Sequence, residues 1–448
     1  MQKINNPFFG VMFFITIFLI RRLPFLINFS TPFVGRDTAG YFMKSELLVE
    51  NVFISFGIYP PGFPVFIKLV QLFTLNPYWI IFSQIIITLS VSLFLIKLFY
   101  KYYQNVAFIL TLLLSLYLTD SLSLLNDFSL LTDSLYMSSL LLVFGGVILV
   151  FKRGKDIDYC FLSTILFLPA IFRSNGIYIY FIFFLILFFF LIKKESFKKY
   201  LFFILPFLLL NFSWSAYNWK TENIFFPSNP ERIMGRITNI DEPDKFNPKK
   251  NSEPKFIKHR IKLIKEYIGS PIQNREDVYS YYAINNYERL YLNRNQYFSF
   301  SEKEKVIFPV LLNVYNEPSE KHSNYYKKLK NEETDFVMKI NNVYNYFYNI
   351  FMINYLWVFL FLISFFMAIY LIIKNKFKDN ELSIILILSL MQILSIIVLS
   401  LAHGRALPRY IHVSEFAIYF TPILLFYYLY KKRCFNKFFF KTKTLFFK

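Results

Sequence analysis

The sequence predicts an all-α integral membrane protein with about ten transmembrane helices and a mainly helical soluble insertion. Of its 448 residues, 56% are hydrophobic and only 17% are charged, whereas a typical soluble domain has roughly 25% charged residues. Mean hydropathy is +0.41. Apolar stretches of about 20 residues, the length that crosses a bilayer, recur along the chain. This composition excludes a soluble globular enzyme, a disordered chain and a disulfide-rich secreted scaffold, since there are only two cysteines.

The apolar stretches divide the chain into four regions. Residues 1–219 form an N-terminal membrane module of about seven spans, and residues 351–430 form a C-terminal module of three. Between them, residues 220–350 mix charges with Tyr, Leu and Ile at helical spacing, which is typical of a soluble helical insertion. Residues 431–448 form a basic tail. The predicted spans lie near 8–28, 79–99, 105–119, 131–151, 158–173, 175–192, 199–218, 351–373, 382–401 and 409–430.

The short apolar run 63–73 follows a Tyr-Pro-Pro-Gly break at residues 59–62. Because about eleven residues are too few to cross a bilayer, we expect this run to be interfacial or re-entrant.

The net charge of +20 comes from short runs of Lys and Arg between the apolar stretches. These runs fall on one face of the predicted bundle, which the positive-inside rule makes cytoplasmic. We therefore expect a multi-pass protein of the cell (inner or plasma) membrane with both termini in the cytoplasm and the insertion outside. The basic tail is expected to bind the anionic inner leaflet, and no nucleic-acid partner is predicted.

Two acidic residues are the candidate catalytic groups. Asp37 follows the first span, and Asp133 opens the fourth at the same predicted outer depth. A carboxylate there can accept a proton from a substrate hydroxyl or bind a metal ion. Each can also be a plain helix N-cap. Two acids at one depth are the arrangement that acid–base or metal-assisted transfer needs.

Cations on the predicted outer face indicate an anionic ligand. Arg173 ends the fifth span, and Arg405 and Arg409 precede the last one, with Tyr410 adjacent. A guanidinium matches the oxygens of a phosphate, although an arginine at a span end can also reach lipid headgroups. His403 and His412 are interpreted as structural, and Asp156-Ile157-Asp158 as part of a short turn.

Taken together, these motifs resemble those of a known family. An Asp after the first span, Tyr41, a Pro-Pro-Gly-aromatic turn, Leu131-Thr132-Asp133 and Arg173-Ser174-Asn175-Gly176 are similar to landmarks of GT-C-fold membrane glycosyltransferases. The branch that contains the protein O-mannosyltransferases and the lipid A aminoarabinose transferase is the most similar. The resemblance covers about half of the chain. Further candidates for substrate binding in the same loops are Arg36, Tyr41, Glu46, Tyr59 and Asp127.

The resemblance implies an inverting glycosyltransferase whose donor is a sugar on a polyprenyl or dolichyl phosphate. Asp37 would then be the general base or a metal ligand, and Asp133 would position the acceptor or the metal. Arg173, Arg405 and Arg409 would hold the departing phosphate. The acceptor would be a glycan, a lipid or a protein. A divalent cation, Mg²⁺ or Mn²⁺, stays open, because many members carry a second acid where this chain has Thr38.

Three other interpretations are considered. An O-antigen-type polysaccharide polymerase also has many spans and a large outer loop, but it has no need of the early Asp37 and Pro-Pro-Gly loop. A secondary transporter places ionisable groups near the midplane, whereas here they cluster at span ends. A non-catalytic membrane protein would separate Asp37 from Asp133.

Overall fold

The computed structural model describes residues 6–28, 38–50, 53–56, 59–74, 76, 78–223, 225, 355–402 and 412–432. Within these ranges the protein is helical and has no β-strand. The soluble insertion and the basic tail predicted from the sequence fall almost wholly outside the described residues, so their predicted structure stays a prediction.

Fourteen α-helices and one 3₁₀ turn make up this described part of the chain. The first seven helices are α1 (Pro7–Asn28), α2 (Thr38–Glu50), α3 (Gly62–Gln71), α4 (Tyr78–Tyr102), α5 (Ala107–Thr119), α6 (Ser121–Asp127) and α7 (Asp133–Lys152). They are followed by α8 (Asp156–Leu166), α9 (Leu168–Phe172), the 3₁₀ turn (Ser174–Tyr178), α10 (Ile179–Lys193) and α11 (Phe197–Glu222). The last three are α12 (Tyr355–Lys374), α13 (Asn380–Ala402) and α14 (Phe416–Lys431).

Six of the helices in the described ranges are long and apolar enough to cross a membrane: α4, α7, α10 with the end of the 3₁₀ turn, α11, α12 and α13. Helices α3, α5 and α14 are apolar but shorter, at 10–17 residues. The all-helical membrane character predicted from composition is therefore present. The ten-residue α3 matches the expectation of an apolar run too short to span.

The predicted fifth span, 158–173, is helical but is interrupted at Phe167, which keeps helical dihedral angles. It consists of α8 and the five-residue α9, with Arg173 in an extended conformation immediately after them. Pro169 occupies one of the first positions of α9, where the missing N–H is tolerated, whereas a proline further inside would disrupt the helix. The sequence pattern did not reveal this break because the apolar residues run on through it.

Helix α7 is the centre of the bundle, with 94% of its span buried, whereas only 17% of the α11 span is buried. Two glycines let neighbouring helices approach α7. A Cβ on Gly145 would lie 2.5 Å from the ring of Phe94 in α4, and one on Gly146 would lie 2.7 Å from Ile165 in α8. The interior is therefore close-packed around α7, as membrane helix interfaces with small residues commonly are.

One end of the bundle, here called the lysine-rich end, joins the ends of α7, α10, α13 and α14. Glu381 Oε1 lies 2.7 Å from Lys152 Nζ and 3.2 Å from Lys431 Nζ. Lys193 Nζ donates to Asn380 Oδ1 over 2.6 Å. In the adjacent turn, Asp158 pairs with Arg153 and its carboxylate accepts the Lys155 N–H, which caps α8.

The opposite end, here called the acid end, carries Asp120, Asp127 and Asp133. All four tryptophans of the chain lie toward this end. They are Trp79 at the start of α4, Trp214 and Trp219 near the end of α11, and Trp357 at the start of α12. Tryptophan concentrates where hydrocarbon meets headgroups, so these rings mark the level at which the acid end would meet the membrane surface.

Candidate functional site

Asp133 and Arg173 form an ion pair at the acid end. Asp133 is the first residue of α7, where the helix dipole favours a negative charge. Its Oδ1 lies 2.5 Å from Arg173 Nη1, and only 3% of the Asp133 side chain and 12% of the Arg173 side chain are exposed. The contact is an ion pair rather than an aligned hydrogen bond. The structure therefore joins two of the site residues predicted from separate loops.

The α9 break determines where Arg173 lies. The Arg173 N–H donates to the Pro169 carbonyl over 3.1 Å, and its own carbonyl accepts the Gly176 N–H over 2.9 Å. A Cβ on Gly176 would lie 2.2 Å from the Pro169 carbonyl oxygen. Because a backbone atom leaves no room there, glycine is required at 176 for the turn to fold back on α9 and present Arg173 beside α7.

Tyr136 lies one turn after Asp133 and extends the site. The Arg173 guanidinium carbon is 5.7 Å from the centroid of the Tyr136 ring, within the range of a cation–π contact. The Tyr136 hydroxyl donates to the Tyr178 hydroxyl over 3.4 Å, and both tyrosines are almost fully buried. Sequence patterning did not single out either tyrosine.

Helix α2 contacts the segment just before Asp133. The buried Thr38 Oγ1, at the first residue of α2, donates to the Leu130 carbonyl over 3.0 Å. Thr38 directly follows Asp37, which lies outside the described residues. The hydrogen bond thus joins the first predicted catalytic loop to the second across 92 positions of sequence.

Tyr41 in α2 and Tyr59, two predicted substrate-binding residues, contact each other. Their ring centroids are 5.1 Å apart, and Tyr41 is buried. Gly40 allows the approach, since a Cβ there would lie 2.0 Å from the Tyr59 ring. Glu46, a third candidate, accepts a hydrogen bond from Gln71 Nε2 over 2.9 Å, which links α2 to α3.

Asp127 is fully buried and bound by protein groups on both carboxylate oxygens. Its Oδ2 accepts from Arg22 Nε over 3.0 Å and also contacts Arg22 Nη2. Its Oδ1 accepts from Ser134 over 2.6 Å and from Thr88 over 3.2 Å. These contacts fix α1, α4, α6 and α7 to one another. The predicted substrate-binding role of Asp127 is less well supported than a structural one.

A second buried polar cluster surrounds His412. His412 Nδ1 lies 2.9 Å from Glu415 Oε2 and 3.5 Å from Asp120 Oδ2. Its Nε2 lies 2.7 Å from Ser123 Oγ. The side chains of His412 and Glu415 have no measurable exposure. The interpretation of His412 as structural overlooked Glu415, three residues later, and Asp120, which lies far away in the sequence.

Some of the predicted site residues have no described placement. Arg36, Asp37, Arg405, Arg409 and Tyr410 lie outside the described residues. Within the described ranges, no group of three or more His, Cys, Asp or Glu side chains has a geometry that could hold a metal ion. At Asp133, the Arg173 guanidinium lies against one of the two carboxylate oxygens.

A crevice lies beside the turn that holds Arg173. The crevice is small, and its walls come from α9, the 3₁₀ turn, α10 and α11. Ser174, the residue after Arg173, lies on one side, and Trp214 lies on another. The crevice is therefore next to the turn that follows Arg173.

Arg21 and Arg22 were missed by sequence reasoning, although they carried a signal. Two adjacent arginines lie inside the otherwise apolar helix α1. Charges within a span are rare and usually have a partner, so their presence predicts acidic or carbonyl partners nearby.

No protein-family model, curated protein or solved structure matches the chain.

Proposed function

We propose that this protein is a glycosyltransferase that moves a sugar from a polyprenyl-phosphate donor to an acceptor hydroxyl at the acid end of its bundle. The observation that carries the proposal is the Asp133–Arg173 pair, a carboxylate and a guanidinium from distant loops in direct contact. The pair supplies one of the groups that the transfer needs, because a guanidinium stabilises a phosphate and the Asp133 carboxylate holds that guanidinium in place.

In this reaction the acceptor oxygen attacks the anomeric carbon while the bond from that carbon to the phosphate oxygen breaks. The acceptor hydroxyl loses its proton to a carboxylate, and the carrier leaves as a polyprenyl phosphate. Asp37 is the proposed base, and Asp133 positions the acceptor and Arg173. The Thr38–Leu130 hydrogen bond supports a shared site for the two carboxylates, since it joins the residue after Asp37 to the segment before Asp133.

Arg173 is the proposed anchor for the donor phosphate. Its guanidinium presents five N–H donors in a planar fork, and Asp133 Oδ1 lies 2.5 Å from one of its nitrogens, Nη1. Arg405 and Arg409 are proposed to contribute further positive charge, and Tyr410 a hydroxyl. No step in this mechanism passes through a metal ion.

The proposed membrane topology is the one predicted from the sequence. Ten helical segments cross the membrane, with α8 and α9 together making one broken span, and both termini lie in the cytoplasm. The acid end faces the other side of a cell membrane, where the tryptophans meet its headgroups. The 220–350 insertion lies on that side and covers the acceptor.

The proposal is tested by assaying membranes that contain the protein with a panel of radiolabelled polyprenyl-phosphate sugars. We expect one donor to transfer its sugar, and Asp37→Asn and Asp133→Asn to lower kcat by about 10²–10⁴-fold. Arg173→Lys keeps the charge but loses the fork, so it should mainly raise the donor KM. Full activity of Asp37→Asn, or no transfer from any donor of the panel, would contradict the proposal.

A further inference from the structure

We infer that both ring nitrogens of His412 donate hydrogen bonds and that His412 is a positioning residue. It holds α6 in place, and α6 in turn holds Asp133. The effect of His412 on the transfer rate rests on the proposed function, whereas its hydrogen bonds and its role in holding α6 do not. It goes beyond the Asp133–Arg173 pair because His412 contacts neither of those side chains in the described hydrogen bonds.

The Nδ1 side of the ring faces two carboxylates. Glu415 Oε2 lies at 2.9 Å and Asp120 Oδ2 at 3.5 Å. An ionised carboxylate only accepts hydrogen bonds, so Nδ1 must carry a hydrogen to make either contact favourable.

The Nε2 side also requires a hydrogen. Ser123 Oγ lies 2.7 Å from Nε2 and 2.7 Å from the Tyr117 carbonyl oxygen. A hydroxyl has one hydrogen. If that hydrogen pointed at His412, the lone pairs of two oxygens would face each other over 2.7 Å. The serine therefore donates to the carbonyl and accepts from Nε2, which makes the ring an imidazolium.

The neighbours of the ring act on a positive charge in both directions. The Tyr117 ring lies 4.8 Å from the His412 ring, in range for a cation–π contact, and the two carboxylates also favour the charge. Arg21 and Arg22 oppose it, since Arg21 Nε donates to the Thr119 carbonyl and Arg22 Nη2 to the Leu118 carbonyl of the same turn. Among the described residues, the charged groups near the ring thus include Asp120 from the α5–α6 turn, Glu415 before α14, and these arginines from α1.

The arrangement Ser123–His412–Glu415 has the order of a nucleophile, a base and an acid. It does not have their chemistry here. Ser123 is fully buried, and its hydrogen is committed to the Tyr117 carbonyl. A doubly protonated ring cannot act as the base for that serine. The cluster therefore binds helices together rather than activating a nucleophile.

A chain of contacts leads from His412 to Asp133. Ser123 is near the start of α6, and Asp127 ends the same helix. Asp127 Oδ1 accepts from Ser134, the residue after Asp133, over 2.6 Å. Holding α6 at both ends thus fixes the first turn of α7, so loss of the His412 contacts should displace Asp133. Misplacing a reacting group by about 1 Å can cost on the order of 10²-fold in rate.

The first test measures whether each ring nitrogen of His412 carries a hydrogen, and it needs no substrate. The full chain is labelled with ¹⁵N-histidine in lipid nanodiscs, and His412→Gln identifies the signal among the four histidines. We expect both ring nitrogens of His412 to carry a hydrogen at neutral pH. One bare ring nitrogen at neutral pH would overturn the inference.

The second test measures whether His412 holds α6 in place. Backbone hydrogen exchange in residues 120–127 should speed up at least about tenfold in His412→Gln. Ser389→Ala is the matched control, because it also removes a buried contact to α14, the Ser389–Thr421 hydrogen bond. That control should leave exchange in residues 120–127 unchanged. Equal exchange in His412→Gln and wild type would overturn the positioning role.

The third test concerns rate. With an active donor, His412→Gln should lower kcat about tenfold and leave KM within about twofold, whereas Ser389→Ala should keep kcat. A kcat for His412→Gln equal to that of Ser389→Ala would contradict the link to catalysis. If no donor is active while the first two tests succeed, the proposed function fails and the role of His412 in holding α6 stands.

Discussion

The two ends of the bundle carry charge in different ways. At the acid end, ionised side chains from distant parts of the chain are buried, as in the Arg22–Asp127 pair, where neither side chain is exposed. At the lysine-rich end, Lys431 and Lys432 remain more than half exposed while pairing with Glu381 and Asp379, although Lys152, which also pairs with Glu381, is only 12% exposed. Burying a charge is expensive unless it is paired, so the fully buried pair at the acid end has a larger cost than the exposed lysines of the other end.

The difference suggests different roles for the two ends. Exposed lysines at span ends orient a membrane protein without needing precise partners. Buried pairs need exact partners, and they fix α1, α6, α7 and the α9 break in one arrangement. We interpret the lysine-rich end as the part that sets orientation and the acid end as the part that carries chemistry.

The largest effect on stability is expected from breaking the Arg22–Asp127 pair. Arg22→Gln leaves the Asp127 carboxylate buried without its cation, so folding stability in detergent should fall by about 3–5 kcal/mol. Lys432→Gln, which breaks the Lys432–Asp379 pair of a mostly exposed lysine at the lysine-rich end, is the control and should cost under about 1 kcal/mol. Denaturant unfolding monitored by tryptophan fluorescence measures both. Similar losses in the two variants would remove the contrast between the ends.

Replacing a glycine at each end separates packing from function. Gly176→Ala places a Cβ against the Pro169 carbonyl, so the turn must shift; we expect a loss of about 1–3 kcal/mol and a raised donor KM. Gly154→Ala is the matched variant. Gly154 has φ +65 and no atom closer than 3.5 Å to the added Cβ, so it should cost about 1 kcal/mol with unchanged KM. Equal KM values in both variants would argue against Arg173 as the phosphate anchor.

The smallest effect is expected at Lys198. Its Nζ lies 2.7 Å from Asp156 Oδ2, and the two side chains are 68% and 37% exposed. Lys198→Gln removes the charge but keeps a hydrogen-bond donor. We expect a stability change of roughly 0–1 kcal/mol and an unaltered transfer rate. A large loss of activity with normal stability would place a functional site at the lysine-rich end instead.

Much of the fold could be predicted from the sequence because hydrophobic length is a local signal. Helices α4, α7, α10, α12 and α13 coincide with predicted spans. The division of charge between the two ends was also visible, because lysines cluster in short runs. The break at α9 was not visible, since the residues around Pro169 are as apolar as those of a continuous span.

The candidate site could be predicted in part. Asp133 and Arg173 were singled out separately, but nothing in the sequence showed that they pair with each other. Asp127 was taken as a possible substrate contact because it lies in the same predicted outer turn as Asp133, and its partner Arg22, 105 residues away, was not apparent from the sequence. His412, Glu415 and Asp120 form a cluster through contacts that span nearly 300 positions, which a single sequence without relatives does not reveal. Local patterns identified unusual residues, and tertiary packing decided their partners.

The central claim is that the donor phosphate binds at the acid end beside Arg173. The most direct measurement is photocrosslinking of the protein in membranes with a polyprenyl-phosphate sugar that carries a photoreactive group on its first isoprene unit, followed by mass spectrometry. We predict crosslinked peptides from residues 167–180 and from the end of α11 near Trp214, and their loss when unlabelled donor competes. Crosslinks confined to the lysine-rich end, or unaffected by competing donor, would contradict the account.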